Sequence, residues 1–140
     1  MAIKDIMTME VTVIAPDDSI MAAAKKMADE DMGFIPVCDG ERIVGALTDR
    51  DITVRCVAKG GDASRTRVRD VMTPEITYCY EDDDVEKTAR LMRDKQIRRI
   101  IVVNRDKKLV GVVALGDLAR EQQGQSADVL ASVSEAPPNN

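Results

Sequence analysis

Ile43-Val44-Gly45-Ala46-Leu47-Thr48-Asp49-Arg50-Asp51-Ile52 is an apolar run that ends in a hydroxyl and a pair of carboxylates. The run has strand length. Thr48-x-x-Asp51 just beyond it has the spacing of a helix start, with a hydroxyl and a carboxylate placed to cap the first amides. The order returns 66 residues later, where Gly111 stands for Gly45, Asp117 for Asp51 and Leu118 for Ile52. A strand-to-helix junction written twice in one chain points to a duplicated unit.

Upstream the duplication continues. Asp5-Ile6-Met7-Thr8 recurs 65 residues on as Asp70-Val71-Met72-Thr73. The same step pairs Thr12 with Thr77, Asp17-Asp18 with Asp82-Asp83, Met27 with Met92, Ile35 with Ile100 and Val37 with Val102. One residue inserted near the turn Asp106-Lys107-Lys108 lengthens the step to 66. A period this long is a duplicated small domain, not a solenoid.

Each copy reads as β-α-β-β-α, an α+β unit. Val11-Thr12-Val13-Ile14 and Ile76-Thr77-Tyr78 are β-branched runs and are expected to be strands. Pro16-Asp17-Asp18-Ser19 and Glu81-Asp82-Asp83-Asp84 start helices whose apolar positions fall at helical spacing (Ile20, Ala23, Ala24, Met27; Val85, Ala89, Met92). Phe34-Ile35-Pro36-Val37-Cys38 and Ile100-Ile101-Val102-Val103 then form hairpins with the runs that carry Gly45 and Gly111. Residues 1–60 are expected to be the first repeat, 61–67 a linker, 68–121 the second repeat and 122–140 a tail that frays, with a short helix near Asp128-Val129-Leu130. Units of about 60 residues bury little alone, so the two are expected to pack sheet-to-sheet about a pseudo-twofold axis.

Composition excludes several functions. The chain has 140 residues, 20 basic and 25 acidic, for a net charge of −5. With one Phe, two Tyr and no Trp it offers neither a basic face nor stacking platforms for nucleic acid. No apolar run approaches the roughly 20 residues of a membrane span, and the start lacks a secretory leader, so a cytosolic location is expected. Histidine is absent, which removes the usual general base and the commonest zinc ligand. There is no P-loop, no GxGxxG and no nucleophile beside a base, so no catalytic activity is expected. Cys38, Cys56 and Cys79 stand far apart and read as buried thiols.

The repeated order resembles the CBS domain, and two in tandem resemble the Bateman module. The residues that carry the likeness are Asp5-Ile6-Met7-Thr8, Ile35-Pro36-Val37 and Gly45 to Ile52, with Ile100-Ile101-Val102, Gly111-Val112-Val113 and Asp117-Leu118 in the second copy. It spans roughly residues 3 to 120, with no enzyme domain attached, like the stand-alone CBS-pair proteins. The resemblance implies regulatory binding of adenosyl ligands (AMP, ADP, ATP or S-adenosylmethionine) in clefts between the repeats; Mg2+ could accompany ATP, although none of the acidic pairs Asp17-Asp18, Asp82-Asp83 and Asp49/Asp51 has a coordination-like spacing. It also implies a homodimer of four CBS units that reports ligand level to another, regulated protein.

The resemblance assigns candidate roles. Thr48 and Asp51, and in the second copy Asp117, would face phosphate and ribose; a carboxylate suits vicinal hydroxyls. Thr-x-x-Asp is equally a plain helix cap. Thr48 becomes Ala114 in the second copy, whereas Gly33-Phe34 becomes Arg98-Arg99, where family members place basic residues against phosphate. A solvated strand edge is the other reading of these arginines. Thr12 and Ile14 would lie against the base in the Asp117 cleft and Thr77 in the Asp51 cleft; the threonines are equally ordinary strand-edge residues. The clefts are therefore expected to be unequal, the arginine-bearing one taking the more phosphorylated ligand. The competing expectation is a constitutive dimeric scaffold whose ligand sites have degenerated, as the Ala114 departure suggests.

Overall fold

The computed structural model describes residues 1–123; the expected helix near Asp128-Val129-Leu130 lies outside them. Among the described residues the chain forms two compact units, one of Thr12–Ile76 and one that joins Met1–Val11 to residues 77–123.

In the Thr12–Ile76 unit, α1 (Ile20–Glu30) precedes a hairpin of β1 (Phe34–Asp39) and β2 (Arg42–Thr48), and α2 (Asp49–Ile52) follows directly. Ser19 caps α1 by accepting the Ala22 amide at 3.1 Å, so the serine rather than the acidic pair before it does the capping. Asp18 instead closes the preceding turn on the Ala15 amide. Helix α2 runs on as a π-helical segment, Thr53–Val57, closed by the Ala58 amide on Thr53 O at 2.8 Å. Ile20, Ala23 and Met27 turn inward from α1 onto Ile35, Val37 and Leu47, so the helical and strand periods converge on one core.

The other unit holds β3 (Tyr78–Tyr80), α3 (Val85–Lys95), β4 (Arg99–Val103), β5 (Leu109–Ala114) and α4 (Leu115–Gln123). Its sheet has the order β3-β4-β5, with β3 parallel and β5 antiparallel to β4. Asp84 caps α3 at the position matching Ser19. The hairpins carry the same irregularity at matched places, between Val37 and Cys38 and between Val102 and Val103.

Two strand expectations need correction. Val11-Thr12-Val13-Ile14 is not a strand: only Ile14 makes a bridge, parallel to Val37, through the Ile14 amide on Pro36 O and the Cys38 amide on Ile14 O. The second copy's strand begins at Tyr78 rather than Ile76, since its partners are Ile101, Val102 and Val103. β-propensity marks a segment that fits a pleated surface, whereas the partner edge sets where pairing starts and stops.

Each unit is completed by the segment that precedes the other repeat. The 3-10 turn Ile3–Asp5 bonds the chain at the Glu81 and Asp83 carbonyls, from Lys4 and Ile3. The 3-10 turn Val68–Asp70 does the same at Pro16 and Asp18, from Arg69 and Val68. Beyond these turns Thr8 bridges Val112 and Thr73 bridges Ala46, each by a reciprocal amide–carbonyl pair. Ile3 and Val68 are fully buried in the cores they join.

Candidate functional site

The strand-to-helix junction is built alike in both units. In the first repeat the Asp49 amide donates to Gly33 O at 3.0 Å, and Phe34 lies opposite Thr48 across the β1–β2 ladder. In the second the Leu115 amide donates to Arg98 O at 2.7 Å, and Arg99 lies opposite Ala114. The residues just before β1 and β4 are therefore tied to the first turn of the helix that follows each hairpin. Arg98, exposed, and Arg99, half-buried, come to the same sheet end as Asp117. Two arginines beside a carboxylate give a junction that can meet both an anion and a hydroxyl pair.

Thr48 and Asp51 form a reciprocal capping box. Thr48 Oγ1 accepts the Asp51 amide at 3.0 Å and Asp51 Oδ2 accepts the Thr48 amide at 3.1 Å. The box occupies one carboxylate oxygen, Oδ2, and both side chains are half-buried. Asp117 keeps half of this arrangement: its Oδ2 accepts the Ala114 amide at 3.3 Å, and alanine has no hydroxyl to return the bond. Its other oxygen, Oδ1, pairs with Arg120. Arg120 was not among the sequence candidates, although Asp117 and Arg120 stand at the i, i+3 spacing that brings helical side chains together.

The first-strand candidates are more committed than their sequence suggests. Thr12 donates its hydroxyl to Glu30 Oε1 at 2.5 Å. Ile14 is 2% exposed, with its amide and carbonyl both bonded to β1, so it presents neither group to a base edge. Thr77 is half-buried and stands one residue ahead of β3. Thr12 and Ile14 thus share a unit with Thr48 and Asp51, and Thr77 shares one with Arg98, Arg99 and Asp117.

Other polar contacts shape these units. Arg105 pairs with Asp82 through both carboxylate oxygens, at 2.8 and 3.2 Å, and lies 4.2 Å over the Tyr80 ring. This guanidinium holds the Asp82 carboxyl below its ordinary pKa, and Tyr80 meets Tyr78 edge to face at 5.8 Å. The basic stripe of the linker lies on its own unit: Arg67 donates to Asp17 O and Arg69 pairs with the Asp17 carboxylate. Arg55 donates to the Val71 and Met72 carbonyls at 3.3 and 3.2 Å, pinning the π-helical segment to the chain that leads into Thr73.

All three cysteines are buried free thiols. Burial pushes Cys38 up to about 11. It pushes Cys79 up to about 12, helped by the Asp83 charge and opposed by a hydrogen bond with Thr88. Thiols raised this far are poor nucleophiles and poor metal ligands. Among the described residues no group of three or more Cys, Asp or Glu could hold a metal ion, and no helix is long and apolar enough to cross a membrane.

A duplicated α+β unit with a capped strand-to-helix junction in each copy defines a tandem-repeat module of CBS type. The chain belongs to the CBS domain family: the family's sequence profile matches residues 3–57 and 68–124. It is 39% identical over 126 residues to the CBS domain-containing protein YhcV of Bacillus subtilis, covering 90% of this chain and 89% of that one. Among solved structures it resembles CBSX2 of Arabidopsis thaliana in complex with AMP, with a TM-score of 0.77, 25% identity, and coverage of 89% and 98% of the two chains. It also resembles the CBS domain pair of MJ0100 in complex with 5'-methylthioadenosine and S-adenosyl-L-methionine, with a TM-score of 0.72, 27% identity, and coverage of 89% and 98%.

Proposed function

We propose that this CBS-pair protein is a non-catalytic regulatory module that binds adenosyl ligands and signals their level to a partner protein, working in the cytosol as a homodimer. The observation that carries the reading is the second repeat's junction, where Arg98 and Arg99 share a sheet end with Asp117. Arginines recognise phosphate through paired donors and the carboxylate accepts from vicinal hydroxyls. The AMP and S-adenosylmethionine complexes of the related structures support the same ligand class. Asp51, with its capping box and no arginine pair before β1, would take ribose in the first repeat. Thr12 and Thr77 would contribute shape beside the base rather than charge, and Ile14, buried and bonded to β1 through both backbone groups, would hold the first of these segments in place.

Signalling needs a ligand that favours one of two states of the module, and coupling of this kind is typically worth about 1–3 kcal/mol. Calorimetry with AMP, ADP, ATP (with Mg2+) and S-adenosylmethionine tests the reading, alongside melting curves. A ligand at about 100 times its Kd adds about 2.7 kcal/mol to stability. Arg98→Ala and Arg99→Ala are expected to weaken ATP more than adenosine, and Asp51→Ala and Asp117→Ala to weaken both. The Thr48–Asp51 box, whose two side chains already serve as a plain helix cap, favours one other reading, a constitutive dimeric scaffold. Failure of all four ligands to bind or shift the melt would select it.

A further inference from the structure

Asp117 carries a cation that its counterpart does not. Arg120, one turn along α4, pairs its guanidinium with Asp117 Oδ1 while Oδ2 takes the Ala114 amide. Both carboxylate oxygens are thus occupied by the helix's own first turns. The guanidinium folds back along α4, 3.7 Å from where a Cβ on Gly116 would stand. Three residues after Asp51 the chain has Val54, 45% exposed, and among the described residues no cation pairs with Asp51. The two junctions therefore differ in how tightly the ribose carboxylate is held, beyond the difference in their arginine pairs.

We propose that Arg120 is a specificity-determining residue, a latch on Asp117 that a phosphate opens. The inference rests on the adenosyl-binding reading above. A carboxylate with both oxygens engaged has reduced capacity to accept two further hydroxyls. An exposed pair such as Arg120–Asp117 shifts an equilibrium by only about two- to fivefold. A phosphate dianion offers the same guanidinium a bidentate, doubly charged partner and outcompetes the carboxylate. The Arg120 side chain is 65% exposed and has room to turn. A nucleoside phosphate then draws Arg120 away and frees Oδ1 for its own ribose, while a nucleoside without phosphate has to break the pair unaided. The Asp117 junction selects phosphorylated ligands on this account, and the Asp51 junction, with Val54 in the matching place, does not.

The test uses the full chain carrying Asp51→Asn, which retains a capping side chain and silences the first junction. Calorimetric titration with AMP and with adenosine compares this background with the same chain carrying Arg120→Val, which copies the first repeat. The expected result is adenosine binding tightened by about two- to fivefold and an AMP-to-adenosine preference reduced about tenfold or more, the loss of a charge-assisted phosphate contact. An unchanged preference and unchanged adenosine affinity in Arg120→Val overturns the latch and leaves adenosyl binding standing. Absence of AMP and adenosine binding in the wild-type chain as well as both variants overturns the adenosyl reading itself, and the latch with it.

Discussion

Met7 packs into the space that Gly111 leaves for want of a side chain: a Cβ on Gly111 would stand 2.7 Å from Met7 Sδ and 2.9 Å from Thr8 O. Gly45 and Met72 repeat the relationship, with 2.9 Å to Met72 Sδ and 2.8 Å to Thr73 O. In each unit the Met-Thr motif preceding one repeat lies on the glycine of the other, and the Thr8–Val112 and Thr73–Ala46 bridges hold it there. The glycines answer to close approach, not to an unusual backbone angle, since neither has a positive φ.

Gly45→Ala and Gly111→Ala are therefore expected to cost about 1–3 kcal/mol each by overpacking. Part of each clash is with a backbone oxygen, so pairing Gly111→Ala with Met7→Ala restores only part of the loss. Urea unfolding of the single and double variants measures both. Unaltered midpoints for the two glycine variants would show that the motifs yield freely.

Capping differs between the repeats, and the difference is measurable. Thr48→Ala removes the hydroxyl from a complete box and is expected to cost about 0.5–2 kcal/mol, whereas Thr48→Ser should stay close to wild type. Ala114→Thr supplies the missing hydroxyl opposite Asp117 and is expected to stabilise by about 0.5–1 kcal/mol. Denaturation midpoints should order as Ala114→Thr, wild type, Thr48→Ala; the reverse order would contradict the box.

The cysteines predict a pH dependence with a definite sign. Burial raises Cys38 to about 11 and Cys79 to about 12, above the 9.0 of an ordinary thiol. Between those values the native state holds protons that the unfolded chain has released, so stability falls as pH rises. Below pH 9 the contribution is complete; above it, stability declines through the window up to about 11 for Cys38 and 12 for Cys79. Melting temperature across pH 8 to 11 checks this, and Cys38→Ala with Cys79→Ala should flatten the decline. A thiol reagent at neutral pH should label Cys38 and Cys79 at the rate of unfolding or local opening rather than of the exposed thiol.

Two helices end on non-glycine residues held in the left-handed region. Asp31 has φ 51° after α1 and Gln96 has φ 56° after α3, the same place in the two repeats. Glycine adopts this conformation without a Cβ penalty. Gln96→Gly is expected to raise stability by about 0.5–1 kcal/mol, read as a higher melting temperature, and Asp31→Gly by less, because aspartate accepts the conformation more readily than glutamine. A lower melting temperature for Gln96→Gly would refute the expectation.

How far the sequence could be read depends on the range of the interaction. The duplication, the α+β class, helices α1 and α3 and the two hairpins were legible, because each is written in periods and turns of a few residues: Ile20, Ala23 and Met27 on α1, or Asn104-Arg105-Asp106 between β4 and β5. Buried, unpaired cysteines were legible from their number and spacing. The starts of β-pairing at Ile14 and Tyr78 were not, since they depend on which edge the segment meets. At the candidate site the Thr48–Asp51 spacing showed in advance that a cap was available. The commitment of the Ile14 backbone to β1 and of Asp117 to Arg120 could be seen only in three dimensions.

Sequence alone therefore determined what is local and repeated: two copies of one unit, their helical and strand periods, and the residue types gathered at each junction. Tertiary structure decided the exchange of partners, with Met7 and Thr8 on the second repeat's strand and Met72 and Thr73 on the first's. The physical reason is that a periodic pattern states which face of a segment is apolar, but two repeats of one pattern offer similar apolar faces. Which of them each motif joins is settled by chain connectivity and close packing, and those act over distances that no short stretch of sequence records.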